Sequence, residues 1–208
     1  MRDLLKELKY SLYLTVHPFK GFWEIKHEQQ GSLRTAIILL ALFIASSIGN
    51  GFYNGYLFNT QGGVNFNALL QTFLIVFVYL LWCVSNWCLT TLFDGEGNFI
   101  DICKATSYAL VPMTISQIIL IPLSNFLLLD EKMFFTIILY GGILWSAFLL
   151  LTGTITTHQY SLGKTLLIIV CIILGMCMIT YILLLFVNLI QQMLGFVVTL
   201  LREISIRS

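Results

Sequence analysis

Charge is scarce in this chain. Of its 208 residues only 10% are Asp, Glu, Lys or Arg, whereas 58% are hydrophobic, and the mean hydropathy is +0.90. Four runs hold no acidic or basic side chain: Thr35 to Phe93, Ala105 to Leu129, Met133 to Gly163 (with His158 its one ionisable group) and Thr165 to Leu201. A soluble core of this size cannot absorb such runs. Each also exceeds the roughly 20 residues a helix needs to cross a bilayer's hydrocarbon. A segment of about ten residues alternating apolar and polar is lacking too, which excludes a membrane barrel and leaves helices as the spanning structure. The N-terminus lacks a short apolar region with a cleavage site, so a removable signal peptide is not expected.

Further absences remove classes of chemistry. His17, His27 and His158 stand alone in separate segments, so the His-Glu-x-x-His pair of an intramembrane metalloprotease is missing. Every Asp and Glu falls in a tail, a loop or a helix end, which excludes an intramembrane carboxylate dyad and the mid-membrane ionisable groups of ion-coupled carriers. Cys83, Cys88, Cys103, Cys171 and Cys177 form no Cys-x-x-Cys pair and read as apolar thiols rather than zinc ligands. The serines lack an activating His or Lys at membrane depth. Five unequal spans show no inverted repeat. The expectation is a protein that is not an enzyme, with no catalytic residues, no cofactor, no metal and no nucleic-acid partner.

What is present fits an all-α integral membrane protein, a five-helix transmembrane bundle with amphipathic N-terminal and C-terminal helices. The first run must hold two spans, because Gly49, Asn50, Gly51, Asn54, Gly55, Asn59, Gln61, Gly62, Gly63 and Asn65 gather turn formers in its middle. The spans are expected near Leu33 to Tyr53, Ala68 to Phe93, Ile102 to Leu128, Met133 to Leu151 and Leu166 to Val187. This divides the chain into a cytoplasmic lead (1–32), a five-span domain (33–187) and a C-terminal helix or tail (188–208). Two flanks read as interfacial stripes at helical spacing: Leu4, Leu5, Leu8, Leu12 and Val16, and then Leu189, Ile190, Met193, Leu194, Val197, Val198 and Leu201. The second stripe either lies at the interface or prolongs the last span. Arg2, Lys6, Lys9, Lys20, Lys26 and Arg34 precede or open the first span, which predicts a cytoplasmic N-terminus and an outward C-terminus.

That topology puts the acids Asp94, Glu96 and Asp101 in a short cytoplasmic loop. Asp-Gly is a common turn pair, Asn98 is placed to cap the next helix, and Asp101 in its first turn favours the positive dipole end. A helix-loop-helix calcium site fails, since its sixth position is Phe99 rather than Gly and its twelfth is Ala105 rather than Glu. Besides a structural turn, the loop offers a surface for a partner, together with Phe22, Trp23 and Lys26 of the lead. Pro112 and Pro122 interrupt the third span, and Tyr108 sits four residues before Pro112, so these three mark a candidate kink. Asn86, Gln117 and Asn125 are polar at membrane depth. Such groups glue helices together or, alternatively, line a path for a small neutral solute.

"SYALVP" (Ser107 to Pro112) closely follows the Gly-Tyr-x-x-x-Pro-like signature of the Yip family, membrane proteins named for interacting with Ypt/Rab GTPases. "HPFKGFWEIKHEQQGS" at His17 to Ser32 and "NWCLTTLFDGEGNFIDI" at Asn86 to Ile102 resemble its prokaryotic branch. The resemblance implies five spans, a cytoplasmic N-terminus and a non-enzymatic membrane protein of the plasma membrane. Members of that branch are often encoded beside carbohydrate ABC importers, which implies an accessory or scaffold whose partners are membrane lipid and ABC permease subunits. Two departures bear on what carries over. The eukaryotic Asp-Leu-Tyr-Gly-Pro loop is replaced by Leu92 to Gly97, and the glycine before the tyrosine is Ser107, so Rab binding is not carried over. A lipid-interacting or membrane-shaping role is the alternative.

Overall fold

The computed structural model describes residues 2–28, 30–55 and 66–207. The turn formers Asn59, Gln61, Gly62, Gly63 and Asn65, and the side chains of Leu4, Leu5 and Leu201, lie outside the described residues. The helices run in the order α1 (Arg2–Val16), α2 (Pro18–His27), α3 (Leu33–Tyr53), α4 (Ala68–Leu92), α5 (Phe99–Ala109), α6 (Val111–Phe126), α7 (Lys132–His158) and α8 (Leu162–Arg207). Among the described residues, five segments are long and apolar enough to cross a membrane: α3, α4, α5 with α6, α7, and α8 as far as Thr199. The chain is a multi-pass membrane protein.

Local chemistry starts these helices. Ser32 caps α3 by accepting from the Thr35 N–H at 3.2 Å, and Asn67 caps α4 by accepting from Leu69 and Leu70. The third span is made of α5 and α6, joined at Leu110. The chain breaks at Leu110, and Pro112 falls in the first turn of α6, where its missing N–H costs no helical bond. The Met113 N–H, also without a partner in that first turn, donates to Ser146 Oγ at 3.1 Å and so ties the break to α7. Pro122 lies inside α6. The fifth span continues past Val187 without interruption to Arg207, so the C-terminal stripe is carried on a prolongation of α8 and not on a separate interfacial helix. From Tyr181 to Thr199 every residue of α8 is exposed.

The lead does not lie flat across the end of the bundle. Only His17 separates α1 from α2, and Gly21 lets the two helices close into a hairpin: a Cβ there would fall 2.9 Å from Leu14 Cγ. Glu7 meets the first turn of α3, whereas Thr15 O accepts from Trp145 Nε1 at 3.1 Å. Trp145 lies thirteen residues before the end of α7 at His158, about 20 Å along the helix at 1.5 Å per residue. The hairpin therefore runs along the bundle, with its tip midway down α7. Its inward face is Leu14, Phe22 and Ile25, which form one core with Leu39, Tyr108, Ala109, Val111 and Leu149. Leu12 and Val16 of the predicted stripe point outward, 52% and 70% exposed. The exposed side of α1 is charged at Lys6 and Lys9 and becomes apolar toward the tip at Leu12 and Val16.

Candidate functional site

The acidic turn is clamped from three sides at the end of the bundle where α3 begins. Its backbone is set by the C-terminus of α4. Asp94 takes the left-handed conformation at φ 56°, and the Gly95 N–H returns to Thr90 O at 2.8 Å, the longer bond of a Schellman-type stop. Asn98 occupies the N-cap of α5, although its side chain makes no capping bond, and Asp101 sits in the first turn. Asp101 pairs there with Lys104 at 3.7 Å.

From the lead, Lys26 Nζ reaches Glu96 Oε2 at 3.3 Å, with 14% of the lysine side chain and 60% of the glutamate exposed. From the α7–α8 turn come three further groups. Tyr160 Oη donates toward Phe93 O (3.1 Å) and Thr90 O (3.3 Å), and Lys164 Nζ donates to Phe93 O at 2.9 Å. These donors satisfy the last carbonyls of α4, at the end where a helix dipole favours a cation. His158, buried and stacked on Tyr160, accepts the Gly97 N–H at its Nδ1 at 3.3 Å. That bond puts the neutral ring's proton on Nε2.

The expected partner residues thus divide. Lys26, Glu96 and Asp101 come together on this end, and Asp94 is exposed beside them. Trp23 is 49% exposed and stacks on His27. Phe22 is only 2% exposed; its ring lies 3.3 Å from where a Cβ on Gly153 would be, so it holds the hairpin to α7 and presents nothing outward. Tyr108 of the signature is fully buried in the same core, beneath the lead.

The membrane-depth polar residues do not share one chamber. Gln117 Oε1 accepts from Ser46 and Ser47 Oγ at 2.6 and 3.2 Å, joining α6 to α3. Asn125 donates to Tyr53 O at 3.0 Å near the opposite end of α3. Asn86 is 3% exposed and lines a cavity of about 10 Å³ that His158 also lines. A second, apolar crevice of about 520 Å³ lies between α4 and the rest of the bundle. In α7, Gly142 lets Ser116 approach closely, whereas a Cβ on Gly141 would meet nothing within 4 Å.

Sequence reasoning missed Glu7, Tyr160 and Lys164, which join segments far apart in the chain. Glu7 Oε2 accepts from Ser32 N (3.3 Å), Ser32 Oγ (2.6 Å) and Thr35 Oγ1. The Ser-x-x-Thr start of α3 was the one local sign that an acceptor belongs there. Among the described residues, no three His, Cys, Asp or Glu side chains gather as a metal site would require.

A family model, the Yip1 domain, matches residues 12–200. The chain belongs to the Yip1 domain family. The match begins within α1 and ends within α8, so the hairpin's return helix, the acidic turn and the Tyr108–Pro112 break all fall inside the Yip1 domain. No match was found among curated proteins or among solved structures.

Proposed function

We propose that this Yip1-domain protein is a non-enzymatic scaffold or accessory factor for a membrane complex. Its docking face is the lead-helix end of the bundle: Trp23, Lys26, Asp94, Glu96 and Asp101. The observation that carries the reading is the interlocking of that end. Lys26, His158, Tyr160 and Lys164 hold the acidic turn in one shape, leaving Asp94 and most of Glu96 facing outward. A turn needed only to connect two helices does not require clamps from the lead and from the α7–α8 turn. A rigid, mixed-charge rim beside an exposed tryptophan suits a protein partner. The excess of basic residues in the lead supports a cytoplasmic placement of this face in a plasma membrane. ABC permease subunits are the first partner class to test.

The experiment is quantitative co-purification from native membranes in mild detergent. Asp94→Lys leaves the Lys26–Glu96 pair intact and should remove the partner without lowering the protein's membrane abundance. Unchanged stoichiometry with Asp94→Lys, and with Asp94→Lys and Glu96→Lys together, would sink the proposal.

One observation favours a second reading. The hairpin reaches only midway along α7 and exposes Leu12, Val16 and Phe19, so it widens the bundle on one side of the membrane only. Such one-leaflet insertion supports bilayer shaping without a partner. Reconstituted vesicles that keep the same size with and without the protein would count against it.

A further inference from the structure

The crevice beside α4 has the dimensions and the chemistry of a lipid chain. Its α4 wall is a single helical stripe from Gln71 through Leu74 and Val78 to Trp82. From Gln71 to Trp82 is eleven residues, a rise of about 16 Å. Half the roughly 30 Å hydrocarbon core is one leaflet, so the crevice runs one leaflet deep. Its Gln71 end lies three residues into α4, near the α3–α4 connection. Phe43, Leu110 and Met176 face the stripe from α3, the α5–α6 break and α8. The break at Leu110 helps make the space. A continuous third span would carry its side chains past α4 in one row, whereas the new helix begun at Val111 packs chiefly on α3 and α7.

The polar groups are placed at the edges. Gln71 stands at the end of the stripe nearest the α3–α4 connection. Tyr79 lends its ring to the wall but directs its hydroxyl away, bonded to Cys103 O at 2.9 Å and Ser107 Oγ at 3.0 Å. Trp82 ends the stripe and also lines the small cavity at Asn86 and His158. What surrounds this opening is hydrocarbon and not water, and an unfilled gap of about 520 Å³ would forfeit dispersion contacts along its whole wall.

We propose that the crevice holds one acyl chain of a membrane phospholipid, drawn from the leaflet at the α3–α4 end, with the chain along the Gln71–Trp82 stripe and the glycerol ester region level with Gln71. The inference is independent of any protein partner at the opposite end.

The test uses the full chain reconstituted in phospholipid nanodiscs and released into mild detergent for native mass spectrometry. One retained phospholipid per wild-type chain is expected. Ile75→Trp, which fills the crevice from the α4 wall, should lower that retention by about tenfold, whereas Leu69→Trp, on the same helix with its side chain in bulk lipid, should not. A second measurement needs no alteration of the crevice. With Trp23, Trp87 and Trp145 replaced by Phe, Trp82 is the sole emitter. Phospholipid brominated near the chain end should quench it more strongly than phospholipid brominated near the carboxyl end. No retained lipid together with equal quenching by the two lipids overturns the proposal. So does a dimer that Ile75→Trp dissociates, which would assign the crevice to a second copy of the chain. Equal retention in Ile75→Trp and wild type would likewise place the lipid elsewhere.

Discussion

Replacing Glu7 with Ala tests whether the lead is part of the bundle or merely lies on the membrane. One carboxylate oxygen receives the Ser32 N–H, the Ser32 hydroxyl and the Thr35 hydroxyl, at the positive N-terminal end of α3. A hydrogen bond to a charged group contributes roughly 1.5–3 kcal/mol, but three bonds to one oxygen are not additive, so the clamp is worth about 2–4 kcal/mol in all. Released by that amount, α1 should open about 30 to 700 times more often. Hydrogen exchange of its amides in nanodiscs reads this directly. The remaining core contacts of Leu14, Phe22 and Ile25 keep α2 and α7 protected, so the change should be confined to α1 and the first turn of α3. Acid should reproduce it. Partial burial alone would raise the Glu7 pKa, but the hydrogen bonds from Ser32 and Thr35 outweigh it and hold the group below its ordinary value of 4.5. A depressed folded pKa means that the contribution is complete above the ordinary value and is lost as pH falls through the folded one. Exchange of α1 that is the same in wild type and Glu7→Ala at neutral pH, or that is unchanged in wild type on acidification, would refute the clamp.

Other substitutions separate the roles of neighbouring residues. Phe22→Ala should cost about 3–5 kcal/mol in thermal or denaturant stability, the usual range for an emptied aromatic site, whereas the adjacent Trp23→Ala should cost well under 1 kcal/mol. Asp94→Gly relieves the left-handed conformation and should raise stability by about 0.5–1 kcal/mol while still reducing partner recovery, because the charge is gone. Gln117→Leu removes the acceptor shared by Ser46 and Ser47 and should loosen the α3–α6 seam by about 0.6–2 kcal/mol, measured as a shift in the unfolding midpoint in mixed micelles.

The five spans were legible because membrane insertion is governed by length and apolarity, which an uncharged run displays without help from tertiary contacts. The starts of α3 and α4 fell where the apolar runs put them, at Leu33 and Ala68, and the caps that set them, Ser32 and Asn67, are local. What escaped was the part that depends on contacts between distant segments. The prolines marked a kink in the third span, and its place at Leu110, ahead of Pro112 in the first turn of α6, had no sign of its own in the sequence. Whether the C-terminal stripe is a separate element could not be read from periodicity, since α8 is apolar all round and a continuous helix shows no boundary. The stripe of the lead did not tell which face packs on the bundle. Leu12 and Val16 make a convincing stripe, but in hydrocarbon an apolar face is no sign of the packed face, and the smaller inward set of Leu14 and Ser11 marks the true contact. Phe22 and Trp23, adjacent and both aromatic, could not be sorted into buried and exposed without Gly153 opposite. The pairing of Lys26 with Glu96 across seventy positions has no signature in the sequence at all.

The proposed scaffold role requires that the lead-helix end meet a protein partner. A photoreactive benzophenone amino acid at position 23, activated in intact cells, tests it where it stands. Trp23 is exposed beside the Lys26–Glu96 pair, so the account predicts one covalent adduct, identified by mass spectrometry as a membrane-complex subunit and lost in the Asp94→Lys background. Adducts with lipid alone, or a protein adduct indifferent to Asp94→Lys, would contradict it.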